Sequence, residues 1–113
     1  MEVFDWAKEF PGSVTICDLQ GTILYMNDKS CEVFQENGGE ALIGQNLFTC
    51  HSDASNHKIN RIMQTAQPNI YTIEKKGIKK LIYQSPWYHD GQMAGLVELS
   101  LEIPFEMPHF LRS

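Results

Sequence analysis

The clearest alternation of apolar and polar positions lies near the end of the chain, from Met93 to Ile103. Apolar side chains occupy every second position there, and charged or hydroxyl side chains lie between them: Val97, Leu99, Leu101 and Ile103 against Glu98, Ser100 and Glu102. A repeat of two residues is the side-chain period of a β-strand with one buried face. The pattern therefore predicts a long strand over 93–103.

Two further strands are predicted before it, from Ile70 to Glu74 and from Ile78 to Tyr83. The residues between them, Lys75-Lys76-Gly77, form a short loop of the kind that closes a β-hairpin. The second strand is expected to continue to Tyr88, with Pro86 marking a weak point or an edge because proline cannot donate to a neighbouring strand. The stretch His89-Asp90-Gly91-Gln92 then predicts a turn into the final strand.

A first hairpin is predicted near the amino terminus, where the apolar segments Val14–Cys17 and Thr22–Met26 flank an Asp18–Gly21 turn. Aspartate at the start of such a turn can bond the backbone beyond it, and glycine at its end relieves steric crowding. Asn27 or Asp28 then stands where it can accept hydrogen bonds from the first amide groups of a helix. We expect that helix over 29–36, ended by Asn37-Gly38-Gly39.

Helical signals dominate the middle of the chain. Between 40 and 50, short apolar groups separated by Gly44 and Asn46 predict short helical turns in place of one long helix. A longer helix is predicted over 54–65, because four apolar residues share one of its faces: Ile59, Ile62, Met63 and Ala66. That face is expected to join the core.

The first ten residues predict a short amphipathic helix. Apolar side chains fall at helical spacing before Pro11-Gly12 stops the pattern: Val3, Phe4, Trp6, Ala7 and Phe10. Bulky aromatic side chains on so short a helix must be buried, either on the open face of the sheet or against a second copy of the chain. The candidates for a dimer interface are therefore Val3, Phe4, Trp6 and Phe10.

The order of helix, two strands, several helices and three strands predicts an α+β fold. We expect one five-stranded antiparallel sheet with helices on one face and a short amphipathic helix at the amino terminus. The expected organisation is a single domain over 1–113, with a cap over 1–12, a core over 13–103 and a tail over 104–113.

Composition narrows the classes of function. A chain of 113 residues can bury about two-thirds of its unfolded surface as one domain. Its net charge of −5 and pI near 5.2 disfavour a nucleic-acid surface, and its few basic residues are scattered. Three cysteines without CxxC spacing disfavour disulfides and structural zinc. With neither a signal peptide nor a long apolar segment, we expect a cytoplasmic protein.

Three stretches resemble the PAS family of sensory domains. They are the Asp18-x-x-Gly21-x-Ile23-x-x-x-Asn27 segment, the Leu42-Ile43-Gly44-Gln45-Asn46 segment before a helix, and a last strand that follows a Gly-containing turn. In order and spacing they match that family over about 13–103, in a single-domain form. The resemblance implies a cupped sheet and a role in sensing or dimerisation. Cys50-His51 is similar to a Cys-His-Pro subgroup, although Ser52 replaces the proline.

The resemblance also implies a pocket between the helices and the concave face of the sheet. Its candidate residues are Phe48, Cys50, His51, Ile59, Met63, Tyr83 and Leu99. Tyr83 is the candidate for a polar contact, because it lies near the centre of its strand and tyrosine combines apolar area with a hydroxyl group. His51 is interpreted first as a hydrogen-bonded structural histidine and second as a ligand contact.

Haem is the cofactor hypothesis that the resemblance raises, since some PAS domains hold haem through a histidine on the helix after Gly-x-Asn. His57 is the axial candidate, but Ile59 stands at the family spacing and lies about 160° from His57 around the helix. A flavin-adduct photosensor would need polar partner residues that are absent around Cys50. A metal site built from Cys50, His51 and His57 would lack a fourth ligand. The cofactor is left unknown, haem is disfavoured, and no metal is expected.

These patterns predict a non-catalytic sensory or signalling domain, because motifs of hydrolases, P-loop proteins and zinc proteases are missing from the sequence. The expected partners are a small molecule or a signalling protein, and a second copy of the chain in a homodimer. Direct contact with nucleic acid or with a membrane is not expected, whereas a place in transcription regulation is. A ligand-free dimerisation or adapter module is the alternative, followed by a haem-based gas or redox sensor.

The segment after the last predicted strand bears on signal output. Pro104 and Pro108 disfavour a continuous signalling helix there, because proline interrupts helical hydrogen bonding. We therefore expect the domain to act by association, unless an effector has been cut away.

Overall fold

Two strands, a series of short helices and three further strands follow one another along the chain. The computed structural model describes residues 5–50 and 53–113, with the backbone alone described at 49, 50, 53 and 55. The strands are β1 (Ser13–Asp18), β2 (Ile23–Met26), β3 (Asn69–Lys75), β4 (Ile78–His89) and β5 (Gln92–Ile103). The α-helices are α1 (Asp28–Val33), α2 (Leu47–Cys50) and α3 (Asp53–Thr65), and 3-10 turns span Gln35–Asn37 and Gly39–Leu42.

All five strands form one antiparallel sheet in the order β2-β1-β5-β4-β3. The two ends of the core meet at the centre of this sheet, where β1 pairs with β5 from Ser13↔Ser100 to Asp18↔Gly95. The helices occupy the crossover between β2 and β3. The predicted five-stranded α+β fold, with the first hairpin beside the final strand, is confirmed.

Two tight turns set the register of β3, β4 and β5. Lys76 and Gly77 have φ values of 53° and 77°, and Asp90 and Gly91 have values of 50° and 77°. Each pair lies between directly paired strand residues, which is the geometry of a two-residue hairpin turn of type I′. Glycine and aspartate tolerate positive φ, so both predicted turns are confirmed and both have a local cause.

Pro86 lies inside β4, opposite Leu96 of β5. The pairing of β4 with β3 reaches only from Ile78 to Gln84. Beyond Gln84, no strand of the described residues pairs with the side of β4 that faces away from β5. Pro86 therefore lies where β4 is an edge of the sheet, and its missing N–H group costs no hydrogen bond to a neighbouring strand on that side.

Asn27 joins the amino-terminal segment to β1 and α1. Its side-chain Oδ1 accepts hydrogen bonds from the backbone N–H of Ser30 and of Val14, both at 2.9 Å. Its Nδ2 donates to the carbonyl oxygens of Ala7 and Gly12, both at 2.8 Å. Asn27 is 1% exposed, and the bond from Ser30 makes it the N-cap of α1. The predicted helix start is confirmed, although α1 ends at Val33 and a 3-10 turn follows.

The amino-terminal helix is not confirmed. Residues 6–9 form a turn, in which Phe10 N donates to Ala7 O at 3.2 Å, and residues 1–4, with Val3 and Phe4, lie outside the described part. Pro11 disfavours a helical conformation at Phe10, so the segment cannot continue as a helix past the turn. The two hydrogen bonds that Asn27 Nδ2 donates to Ala7 O and Gly12 O hold this segment against β1 and α1.

The core lies between α3 and the central strands. Its buried residues are Cys17, Ile59, Ile62 and Leu96, against which Leu47, Phe48 and Met63 pack. The predicted buried face of α3 is therefore confirmed at Ile59 and Ile62. Ala66 is different: it is exposed just past the helix, with φ of 59°, and its N–H closes the helix end on Ile62 O at 2.8 Å. Across the described residues, no helix is long and apolar enough to cross a membrane.

Candidate functional site

The two faces of the sheet carry different chemistry, and β5 shows the division. Leu96 and Glu98 face the helices and line a cavity there. Val97 and Leu99 face the opposite side, where residues 5–7 lie over them. We call these the helix-side face and the outer face.

The cavity on the helix-side face measures about 370 Å³. Its lining is mostly apolar and comes from both hairpin strands, the short helices and β5: Cys17, Ile23, Met26, Phe34, Leu42, Leu47 and Leu96. Three polar side chains also line it, Thr15, Asn37 and Glu98. A volume of this size with few polar groups is typical of a small-molecule site.

A row of polar side chains crosses the helix-side face of the sheet. Asn69 Nδ2 donates to Gln84 Oε1 at 2.9 Å, and Gln84 Nε2 donates to Glu98 Oε2 at 2.7 Å. Thr15 of β1 is the cross-strand partner of Glu98, and its hydroxyl lies 2.6 Å from that of Ser30 in α1. The row thus runs from the edge strand β3 to α1. Two of its members, Thr15 and Glu98, line the cavity.

Glu98 is the one charged side chain among the described residues that line the cavity. Its charge acts across the sheet: burial raises the pKa of the Tyr71 phenol, and the Glu98 carboxylate raises it further. Burial also raises the pKa of the Cys17 thiol, against a hydrogen bond with the Leu96 backbone that lowers it. Cys17 is therefore protonated at neutral pH and is not an activated nucleophile.

The candidate residues from the helical middle lie behind the cavity. Phe48, Ile59 and Met63 belong to the core cluster around Cys17 and Leu96 but do not reach the cavity surface. The side chain of Cys50 and all of His51 lie outside the described residues, so their predicted roles stay predictions.

Tyr83 and Leu99 lie on the outer face. The two residues are direct partners between β4 and β5, and Leu99 lines the outer groove. The expectation that they line the helix-side pocket is corrected by this placement. Its physical reason is the strand period, since positions 97 and 99 must face away from the helices once Leu96 and Glu98 face toward them.

Sequence reasoning missed Asn37 of the cavity lining and three polar strand residues, Thr15, Gln84 and Glu98. Alternation alone assigns the polar positions of a strand to solvent, and here they face the helices. The sequence did contain one signal that these residues could be buried. Helices were expected on one face of the sheet, and the aromatic residues of the amino-terminal segment were a candidate cover for the other. Where a central strand is covered on both faces, its polar side chains lose their solvent face, as at Glu98, whereas Glu102 near the end of β5 stays exposed.

His57 does not fit the role of a haem ligand. It is exposed on α3, whereas Ile59 of the same helix is 3% exposed in the core. No histidine occurs among the described residues that line the cavity, and the described residues contain no cluster of three metal-binding side chains. Within the described residues, the cavity therefore has no histidine that could hold haem iron in the way the resemblance implies.

The outer groove lies under the amino-terminal segment and measures about 650 Å³. Trp6 covers one end of it, is 61% exposed and packs edge to face on Phe10 with ring centres 5.6 Å apart. Below it lie aliphatic residues of the two central strands: Val14, Ile16, Val97 and Leu99. Two of the four candidates for a dimer interface, Trp6 and Phe10, are thus on this face, and Val3 and Phe4 lie outside the described residues.

Comparison with known proteins identifies solved structures with a similar fold. No protein-family model matches the sequence, and a search of curated proteins finds no match. Among solved structures, a sensory box sensor histidine kinase from Vibrio cholerae is similar, with a TM-score of 0.63 and 16% identity over 83% of each chain. The Aer2 receptor from Vibrio cholerae, a dual PAS-haem oxygen sensor, has a TM-score of 0.60 and 14% identity, over 82% of this chain and 95% of that one.

Vibrio cholerae VqmA bound to DPO is also similar, with a TM-score of 0.65 and 18% identity. The match covers 85% of this chain and 54% of the VqmA chain, so this chain spans about half the length of VqmA. These similarities show that the fold is that of PAS domains, as the sequence motifs predicted.

Proposed function

We propose that this PAS-fold domain is a non-catalytic sensory module that binds a small molecule between its short helices and its sheet. The observation that carries the proposal is the mostly apolar cavity of about 370 Å³. Its walls come from β1, β2, β5, α2 and the 3-10 turn Gly39–Leu42, so a bound molecule would contact both halves of the fold. The sensory role is supported by the similar folds of a sensor histidine kinase and an oxygen sensor.

The chemistry of the cavity favours binding over catalysis. Covalent catalysis needs a nucleophile activated by a base or by a lowered pKa. The Cys17 thiol has a raised pKa, and neither lysine nor histidine occurs among the described lining residues. In VqmA, a domain of this fold belongs to a LuxR-type receptor that binds DPO and DNA. A place for this chain in transcription regulation is part of the proposal on that ground.

A second function, homodimerisation through the outer face, is favoured by the exposed Trp6 above the aliphatic strands β1 and β5. Covering Trp6 with a second copy would remove a large aromatic surface from water. Light scattering of the full chain and of Trp6→Ala tests it: a dimer that becomes a monomer supports this function, and a monomeric full chain contradicts it.

The proposed ligand binding is tested by mass spectrometry of the purified chain under native conditions. Leu42→Trp places a larger side chain in the cavity wall, and Ile43→Trp makes the same kind of change at the neighbouring exposed residue. We expect a bound small molecule in the unchanged chain and in Ile43→Trp, and its loss in Leu42→Trp. The proposal is wrong if the unchanged chain carries none and no small-molecule probe perturbs the NMR signals of Leu96 and Glu98.

A further inference from the structure

Glu98 lies in the part of the sheet where the strand is paired on both sides. Its strand, β5, is the central one, and Glu98 pairs with Gln84 of β4 on one side and with Thr15 of β1 on the other. Backbone ladders on both sides hold this position, so its carboxylate has a defined place in the cavity floor. Sites built on such rigid elements are more precise than sites on loops.

The neighbouring amide is oriented toward that carboxylate. Gln84 Oε1 is occupied by the N–H of Asn69, which leaves Gln84 Nε2 to donate to Glu98 Oε2. Gln84 is 8% exposed, so its amide is held in this orientation by burial as well. Within the described residues, Oε1 of Glu98 receives no hydrogen bond from the protein, and an ionised carboxylate has room for several donors.

Among the described lining residues, the negative charge of Glu98 meets no counter-charge. The described residues that line the cavity include no lysine, arginine or histidine, and most of the rest are apolar. A carboxylate attracts a ligand that brings an opposite charge or several hydrogen-bond donors. A ligand with its own negative charge would be repelled by it.

Building on the proposed function, we propose that the cavity selects compact, mostly apolar cations whose N–H donors meet the Glu98 carboxylate. The apolar walls of Phe34, Met26 and Leu96 accommodate an aromatic body, because rings and thioether sulfur make favourable contacts. An aromatic amidine is the simplest molecule with both features. Its two parallel N–H groups match a carboxylate as the guanidinium group of arginine does.

Three probes of one shape test this ligand class: benzamidine, which is a cation, benzamide, which is neutral, and benzoate, which is an anion. Each is titrated into the full ¹⁵N-labelled chain while the amide signals of Leu96 and Glu98 are followed. We expect benzamidine to bind at least about tenfold more tightly than benzamide, which corresponds to about 1.4 kcal/mol. Benzoate is expected to bind more weakly than either.

Glu98→Gln and Glu102→Gln form a matched pair of variants. Both residues lie on β5 and both changes remove one negative charge, but Glu102 is exposed and does not line the cavity. The preference for benzamidine over benzamide should disappear in Glu98→Gln and persist in Glu102→Gln. If Glu98→Gln fails to fold, the comparison of the three probes in the unchanged chain still tests the ligand class.

The outcomes separate the ligand class from the proposed function. If benzamide or benzoate binds as tightly as benzamidine, or if Glu98→Gln keeps the preference, the ligand class is wrong while the cavity still binds small molecules. If none of the three probes perturbs Leu96 or Glu98 at millimolar concentration, this ligand class is also wrong. The proposed function is then decided by the mass-spectrometric comparison of the unchanged chain with Leu42→Trp and by small-molecule probes outside this class.

Discussion

Gln84 and Glu98 are joined side chain to side chain across the two longest strands, with Gln84 Nε2 2.7 Å from Glu98 Oε2. Because the side-chain period of a strand is two, a slip of one residue between β4 and β5 would move one of them to the outer face. The pair therefore favours the observed register in addition to shaping the cavity floor.

Replacing Gln84 by leucine should lower the free energy of unfolding by about 1–3 kcal/mol, since it removes a partner from Asn69 and from Glu98 at a buried site. Urea unfolding measures the change. Gln92→Leu, at the exposed first residue of β5, is the control and should have little effect. Equal stability of the two variants would contradict a structural role for the polar row.

Asn27→Ala should cost about 2–4 kcal/mol, because it removes a helix cap together with the bonds to the amino-terminal segment. Asn27→Asp keeps the accepting oxygen but loses the donor to Ala7 and Gly12. It should therefore also destabilise the protein and speed amide exchange in residues 5–12. Asn60→Ala, at an exposed residue of α3, serves as the control, and a similar small loss in both alanine variants would refute the anchoring role.

Gly95→Ala should destabilise the protein by at least about 2 kcal/mol. Gly95 has φ of 154°, and a Cβ there would run into the backbone of Cys17 and Asp18 on β1. Gly91→Ala is the matched change in the hairpin turn, where φ is 77° and space is open, so it should cost only about 1 kcal/mol. Thermal unfolding measures both.

The fluorescence of Trp87 gives a second measurement of the effect of Gly95→Ala. Trp87 Nε1 donates to the carbonyl oxygen of Cys17 at 2.9 Å, beside Gly95. If Gly95→Ala pushes β1 away from β5, the indole loses this bond and its fluorescence changes. Unchanged fluorescence and stability in Gly95→Ala would show that the close approach of the strands is not required.

The Cys17 thiol should react slowly in the folded protein, because it is buried and its pKa is raised. At pH 8 we expect iodoacetamide to modify Cys17 more slowly than the half-buried Cys31, and a cavity ligand to slow Cys17 further. Peptide mapping by mass spectrometry distinguishes the sites, and the two rates should converge in 8 M urea. Faster modification of Cys17 in the folded state would contradict its burial.

The raised pKa of Cys17 also has a consequence for stability. The unfolded chain loses this proton at a lower pH than the folded chain, so the contribution of the thiol is full below pH of about 9. It is lost as the pH rises through the higher pKa of the folded state. Cys17→Ser should therefore flatten the fall in stability above pH of about 9.

Local chemistry was sufficient for most elements. Turn residues that accept positive φ, such as Gly77 and Gly91, and the alternation of β5 predicted both carboxyl-terminal hairpins. The apolar spacing of Ile59 and Ile62 predicted α3 over 54–65, where the structure has Asp53–Thr65. The amino-terminal helix is not confirmed: residues 6–9 form a turn, residues 1–4 lie outside the described part, and Asn27 donates to the carbonyl oxygens of Ala7 and Gly12, a contact between distant residues that helical spacing does not reveal.

The sequence by itself thus determined which residues of β5 share a face, because a strand alternates with a period of two whatever surrounds it. It did not determine which of the two faces the helices would cover. The pairing of β1 with β5 and the crossover of the helices decided that Glu98 faces the cavity and Leu99 the outer groove. The physical reason is that the apolar row of a strand can be buried either by the helices or by the amino-terminal segment. Only the assembled layers therefore distinguish the helix-side face from the outer face.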